Sequence, residues 1–199
     1  MNNIPLDYLR KMGTYEIKYN GVNMKVSVVD NASVVDEKMS EIRSLLQSQS
    51  HRLVGLDFNI SYCQVNMVLV CVGSRCVIVQ LNHMAQIPQS LISFLGNEHI
   101  CFVGRNLNSY SHIWKKRLEI VDRKIGVEVG YLAAKVLKKP ELLNSSLSII
   151  AGEVGIPKEE PISGNLDPFS TVFSPEQIKE AIYDVYYSYA IGNKVLGML

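Results

Sequence analysis

Two aspartates in this chain occupy places where an acid is costly. Asp57 follows the apolar run Leu53-Val54-Gly55-Leu56 in "RLVGLDFNIS", and Asp184 lies in the middle of "SPEQIKEAIYDVYYSYAIG", a helical stretch that is apolar or aromatic on most faces. A buried carboxylate needs a cation or hydrogen bonds to offset its lost hydration. One reading is that each acid is bonded to backbone amides. The other is that a strand-borne and a helix-borne carboxylate converge on divalent metal ions. Hard cations such as Mg2+ take oxygen ligands, and two of them about 3.5–4 Å apart can activate a water and stabilise the leaving oxygen of a phosphodiester. The next polar position after Asp57 is Asn59, which keeps an acceptor oxygen but carries no charge. Glu180 precedes Asp184 by one helical turn, so the two share a face. Glu180 is either a third member of an acid cluster or a solvent-facing group that pairs with Lys179 or Lys194.

Two further stretches carry chemistry with a plain alternative beside it. In "SYSHIWKKRL", His112 and the cluster Lys115-Lys116-Arg117 either contact a phosphate backbone or form a solvated helix face with Trp114 packed inward. Tyr183, Tyr186, Tyr187 and Tyr189 either form a ladder for stacking bases or pack in the core or between subunits. His51, His83 and His99 show no metal spacing, and there is neither a GxxxxGK nor a GxGxxG loop. Cys63, Cys71, Cys76 and Cys101 sit in apolar strand-like contexts without CxxC spacing, which predicts buried reduced thiols and no structural zinc.

The elements that must position these residues follow from periodicity. "TYEIKYNGVNMKVSV" (14–28) alternates on both sides of Asn20-Gly21, the dipeptide that best tolerates positive φ at both turn positions, so a hairpin is expected. Met39, Ile42, Leu45 and Leu46 then recur at helical spacing. Strands are expected at 52–58, 65–72 and 76–81, the last two joined by Gly73-Ser74-Arg75, with a fourth in "HICFVG". Helices are expected in "QSLISFLG", "SHIWKKRLEI", 128–139, "SLSIIAGEVG" and, as one long terminal element, 174–196. Ser174 is its N-cap, Pro175 its first residue, and "IPKEEPISGNLDP" before it is a Pro/Gly-rich loop. Three antiparallel central strands followed by alternating helix and strand imply a mixed β-sheet with helices on its faces, an α/β fold.

On these residues the chain resembles a family. "LVGLDF", "FVGRNL" and "SPEQIKEAIYDVYYSYAIG" are similar to the three motifs of the DEDD 3′-5′ exonucleases, in the Werner-type and RNase D branch, over roughly residues 50 to 195. The layout of the N-terminal hairpin and helix is similar to that of the plant RISC-interacting clearing exoribonucleases. The resemblance implies a ribonuclease H-like fold, Mg2+ or Mn2+ as cofactor, single-stranded DNA or RNA as ligand, and assembly into a hexameric ring. It also implies four metal-binding acids, and here the carry-over is incomplete. Asp57 and Asp184 match, but Asn59 and Tyr110 stand where two acids belong, and Glu180 replaces the tyrosine expected four residues before Asp184. A phenol holds its proton near neutral pH and ligates Mg2+ poorly. Two dications facing two formal charges are underneutralised, so two-metal catalysis is expected to be crippled.

Bulk properties agree with such a chain. Its 199 residues suit one exonuclease-like domain, with 1–50 forming the hairpin and helix and 51–199 the core that carries the motifs. A composition of 47% hydrophobic and 20% charged residues with a formal charge of +1 excludes a disordered protein and a strongly basic nucleic-acid coat. No run approaches a membrane span, and "MNNIPLDYLRKM" lacks a signal-peptide layout, so an intracellular location, cytoplasmic or nuclear, is expected. Three outcomes are open: a binding protein with lost or weak catalysis, a working exonuclease with a rearranged site, or a non-catalytic assembly partner.

Overall fold

The computed structural model describes residues 8, 12–120, 125–157 and 166–199. The opening segment (except Tyr8 and Met12) and most of the Pro/Gly-rich loop before the terminal helix lie outside the described residues. Asn20 and Gly21 take φ of 48° and 78° and close the hairpin of β1 (Thr14–Tyr19) and β2 (Val22–Val29). Tyr15, Ile17 and Tyr19 of β1 point into the core and alternate with exposed Glu16 and Lys18, as a half-buried strand should. Asn31 caps α1 (Ala32–Gln47), which buries Val35, Met39, Ile42 and Leu46, while Leu45 is only partly buried.

The sheet has seven strands in the order β1-β2-β5-β4-β3-β6-β7. β3 (Leu53–Ser61), β4 (Gln64–Val72) and β5 (Arg75–Gln80) are the antiparallel centre. β6 (Cys101–Gly104) and β7 (Val127–Glu128) extend it in parallel on the β3 side. The N-terminal hairpin joins the other side through a parallel pairing of β2 with β5. Helices α2 (Gln89–Leu95), α3 (Ser111–Leu118), α4 (Val129–Leu137), α5 (Leu147–Glu153), α6 (Pro175–Ala181) and α7 (Tyr183–Leu196) flank it. No described helix is long and apolar enough to cross a membrane.

The structure differs from the sequence expectations at three places. β3 continues three residues beyond 58, so Asp57 is internal to a strand rather than at its end. The single terminal helix is two helices, broken at Ile182 (φ −86°, ψ 0°), which lets α6 pack on edge strand β1 while α7 lies on β3. Cys63 is exposed in the turn between β3 and β4, where no apolar layer covers it. For the tyrosines of α7 the structure takes the packing alternative, not the ladder. Tyr183, Tyr186, Tyr187 and Tyr189 are buried, with Tyr186 tilted against Tyr19 at 5.1 Å and Tyr187 edge-on to it at 5.9 Å between ring centres. Their hydroxyls have partners within the chain: that of Tyr187 donates to the Pro157 carbonyl at 3.0 Å, and that of Tyr189 accepts from Gln49 at 3.2 Å.

One glycine sets how closely α7 approaches β3. A Cβ on Gly55 would lie 2.3 Å from the Val185 carbonyl oxygen and 2.9 Å from Tyr189 Cβ. Gly55→Ala is expected to destabilise the protein by about 3 kcal/mol or more, because the obstacle is helix backbone with nowhere to retreat. A melting curve checks this, and an unchanged midpoint would mean the helix is held less closely than described. Period-two alternation puts Asp57 and Asn59 on the face of Gly55, so the same contact brings Asp184 over Asp57.

Candidate functional site

The cleft between β3 and the α6–α7 break has a volume of about 540 Å³ and is lined by Asp57, Asn59, Arg105, Glu180, Tyr183 and Asp184, among others. A smaller recess of about 200 Å³ continues from it past Asp57 and Asp184 to Tyr110 and Trp114. The fold thus gathers Asp57, Asn59, Tyr110, Glu180 and Asp184 around connected spaces. It does not bring in the basic cluster of α3. His112, Lys116 and Arg117 are exposed on the outer face of that helix, and Lys115 lies 5.7 Å from the ring centre of its neighbour Trp114. Trp114 itself is buried, donates to the Leu107 carbonyl at 2.9 Å, and stacks on Phe58 at 5.5 Å, which anchors α3 beside the recess.

The acids strain one another. Burial, and then the charge of Asp184, push the Asp57 carboxyl up to about 7, against the hydrogen bond from the Phe58 backbone and the pull of Arg105. Burial also raises Asp184, with Arg105 acting in the opposite direction. Glu180 is raised by burial and by Asp184, and its Oε2 is buried with no hydrogen-bond partner. Near neutrality this cleft therefore carries less negative charge than its three carboxylates suggest.

Asn59 and Arg105 explain how the cleft persists in this state. The Asn59 side-chain oxygen accepts from Asn66 Nδ2 at 3.4 Å, and Asn66 in turn accepts from Asn82 at 3.0 Å and donates to Ser61 at 2.6 Å. The amide is tied into a polar chain across β3 and β4 instead of facing a cation alone. Arg105 was not singled out from the sequence. It follows Gly104 at the carboxyl end of a parallel strand, the end at which open α/β sheets place ligands, and that position was the available signal. Its guanidinium acts on both aspartates through space. Among the described residues, no group of three or more His, Cys, Asp or Glu is placed to hold a metal ion. Two carboxylates, an engaged amide, a phenol and a resident guanidinium do not fit a pair of Mg2+ or Mn2+ ions.

No family model matches the chain, and neither does any curated protein. Solved structures do. A crystal structure of the EXD2 exonuclease domain soaked in Mn and GMP matches with a TM-score of 0.51 at 20% identity, covering 87% of this chain and 90% of that one. The same domain soaked in Mg and dGMP matches with a TM-score of 0.51 at 21% identity, covering 86% and 89%. The unsoaked domain gives 0.51 at 20%, covering 87% and 90%. The chain has the ribonuclease H-like exonuclease fold. Within it, β3, the residue after β6 and the α6–α7 pair line the cleft with Asp57, Asn59, Arg105, Glu180 and Asp184, and Tyr110, just before α3, lines the recess.

Proposed function

We propose that this protein binds single-stranded nucleic acid on a 3′-5′ exonuclease fold whose two-metal catalysis is lost or much reduced. The observation that carries the proposal is the lining of the cleft and its recess. Asn59 and Tyr110 bring no charge beside Asp57 and Asp184, and Arg105 stands among them, whereas a site built for two dications needs several carboxylates. A shared fold leaves activity open, and the cleft chemistry argues against it. The pattern in residues 174–184 supports placing the chain beside the Werner-type and RNase D branch and, with the N-terminal hairpin and helix, near the plant RISC-interacting clearing exoribonucleases. Ring assembly belongs to the same reading, and light scattering tests it: a mass near 22.3 kDa would exclude the ring.

Labelled RNA and DNA strands incubated with the protein and Mg2+ or Mn2+ test the main claim. The expected result is binding without shortening of the 3′ end. Progressive shortening that disappears in Asp57→Ala would refute it.

A second reading has one observation in its favour. Glu180 presents an unpartnered buried oxygen to the cleft and is raised by Asp184, so it is the further carboxylate of the cleft lining that a rearranged site would have to draw in beside Asp57 and Asp184. On that reading metal-dependent nucleotide release is measurable and Glu180→Gln abolishes it. On the main reading there is nothing to abolish.

A further inference from the structure

A cavity larger than the acid cleft adjoins it. Its volume is about 670 Å³, it lies between the loop after β6 and the start of α4, and it shares Arg105 with the cleft and Arg105 and Asn106 with the recess. The character of the two spaces is opposite. The acid lining the larger cavity is Glu128, and both its oxygens are occupied: they accept from the backbone amides of Asn106 and Asn108 at 2.8 and 2.9 Å and from the Asn108 side chain at 3.3 Å. Tyr131, which is 49% exposed, lines the same cavity as Arg105. One turn further along α4, the Lys135 ammonium lies 5.6 Å from the Tyr131 ring centre, and exposed Lys138 caps the helix in a left-handed conformation. Tyr131, Lys135 and Lys138 follow i, i+4, i+7 spacing, one stripe roughly 10 Å long.

Resting on the nucleic-acid reading above, we infer that the strand enters this second cavity at Arg105, passes Tyr131 on its wall and leaves it along α4 toward Lys135 and Lys138, and is not held in the acid cleft. Without two dications, the acid cleft offers a phosphate three carboxyl groups that bring no positive charge and repel it to the extent that they are ionised. Arg105 stands at its edge and offers a planar fork of donors to the first phosphate beyond it. Tyr131 offers a half-exposed ring with the Lys135 ammonium over one side, a surface that an unpaired base can use, and the two lysines supply charge for the phosphates that follow. The occupant is therefore single-stranded, and base identity is read weakly.

Fluorescence anisotropy of a labelled single-stranded oligonucleotide in EDTA, repeated over a salt series, tests this. Tyr131→Ala should weaken binding about 5- to 100-fold, and Lys135→Ala and Lys138→Ala should each lower the salt slope by about 0.7. Asp57→Asn with Asp184→Asn should tighten binding by removing the repulsion. If these variants bind like the parent while Lys116→Ala with Arg117→Ala binds weakly, the path is wrong and the nucleic-acid reading survives. If the parent binds no oligonucleotide even at low salt, both fall. Should Tyr131→Ala lose its thermal transition, the exposed pair Lys135→Glu with Lys138→Glu decides by itself: unchanged affinity overturns the path.

Discussion

Asp57→Asn is expected to raise the melting temperature at pH 8 by at least about 5 °C and to leave it nearly unchanged at pH 4. The folded protein holds the Asp57 proton up to about 7, whereas the unfolded chain releases it at its ordinary value of 3.8. Between those values the native state binds the extra proton, so stability falls as pH rises, and the full penalty stands above 7. The displacement corresponds to about 4 kcal/mol at most, and a chain of this length gains roughly 2–4 °C per kcal/mol. The amide keeps an acceptor for the Phe58 N–H, so the change removes the charge and little else. Differential scanning calorimetry at the two pH values is the measurement. Equal midpoints at pH 8 would mean that Arg105 and local water already neutralise the carboxylate.

The complementary change should create what the cleft lacks. Asn59→Glu with Tyr110→Asp adds two carboxylates beside Asp57 and Asp184, in spaces that already contain those side chains. Without metal the added repulsion should lower the melting temperature by several degrees, since a like charge close by costs on the order of 1–3 kcal/mol here. Mn2+ should more than restore it: a ligand at 100 times its dissociation constant stabilises by about 2.7 kcal/mol. The parent should show no such rescue. Tyr110 is half exposed at the start of α3, so its replacement opens no core cavity. Calorimetric titration with Mn2+ gives the direct readout, and equal metal affinity in parent and variant would overturn the account of the cleft.

The elements were legible where a period was strong. Alternation around Asn20-Gly21 and the spacing of Met39, Ile42 and Leu46 report a buried face directly, and the strands from Leu53 to Gln80 announce themselves by apolar runs between turn residues. Asp57 and Asp184 were legible because each interrupts such a run. What stayed hidden depends on contacts between distant segments. Arg105 is exposed and interrupts nothing, so its influence on both aspartates exists only once β6 is docked beside β3. The parallel pairing of β2 with β5 has no local signature either, because each strand would look the same with another neighbour. Cys63 misled because its flanks are apolar, yet positive φ at Tyr62 and Cys63 (51° and 58°) makes that pair a turn tip. The break at Ile182 is equally silent, since an isoleucine in a helical pattern gives no warning.

That break has a mechanical consequence. α6 is fastened to the rim of the sheet: the Phe173 amide just before it donates to the Tyr15 hydroxyl at 3.1 Å, and Lys179 lies 4.9 Å from the Tyr19 ring centre. α7 is seated on the middle of the sheet against Gly55. α7 also reaches that rim, through Tyr186 and Tyr187 against Tyr19, so both sides of the break are tied to the outermost strand and the span between Glu180 and Asp184 is fixed from two directions.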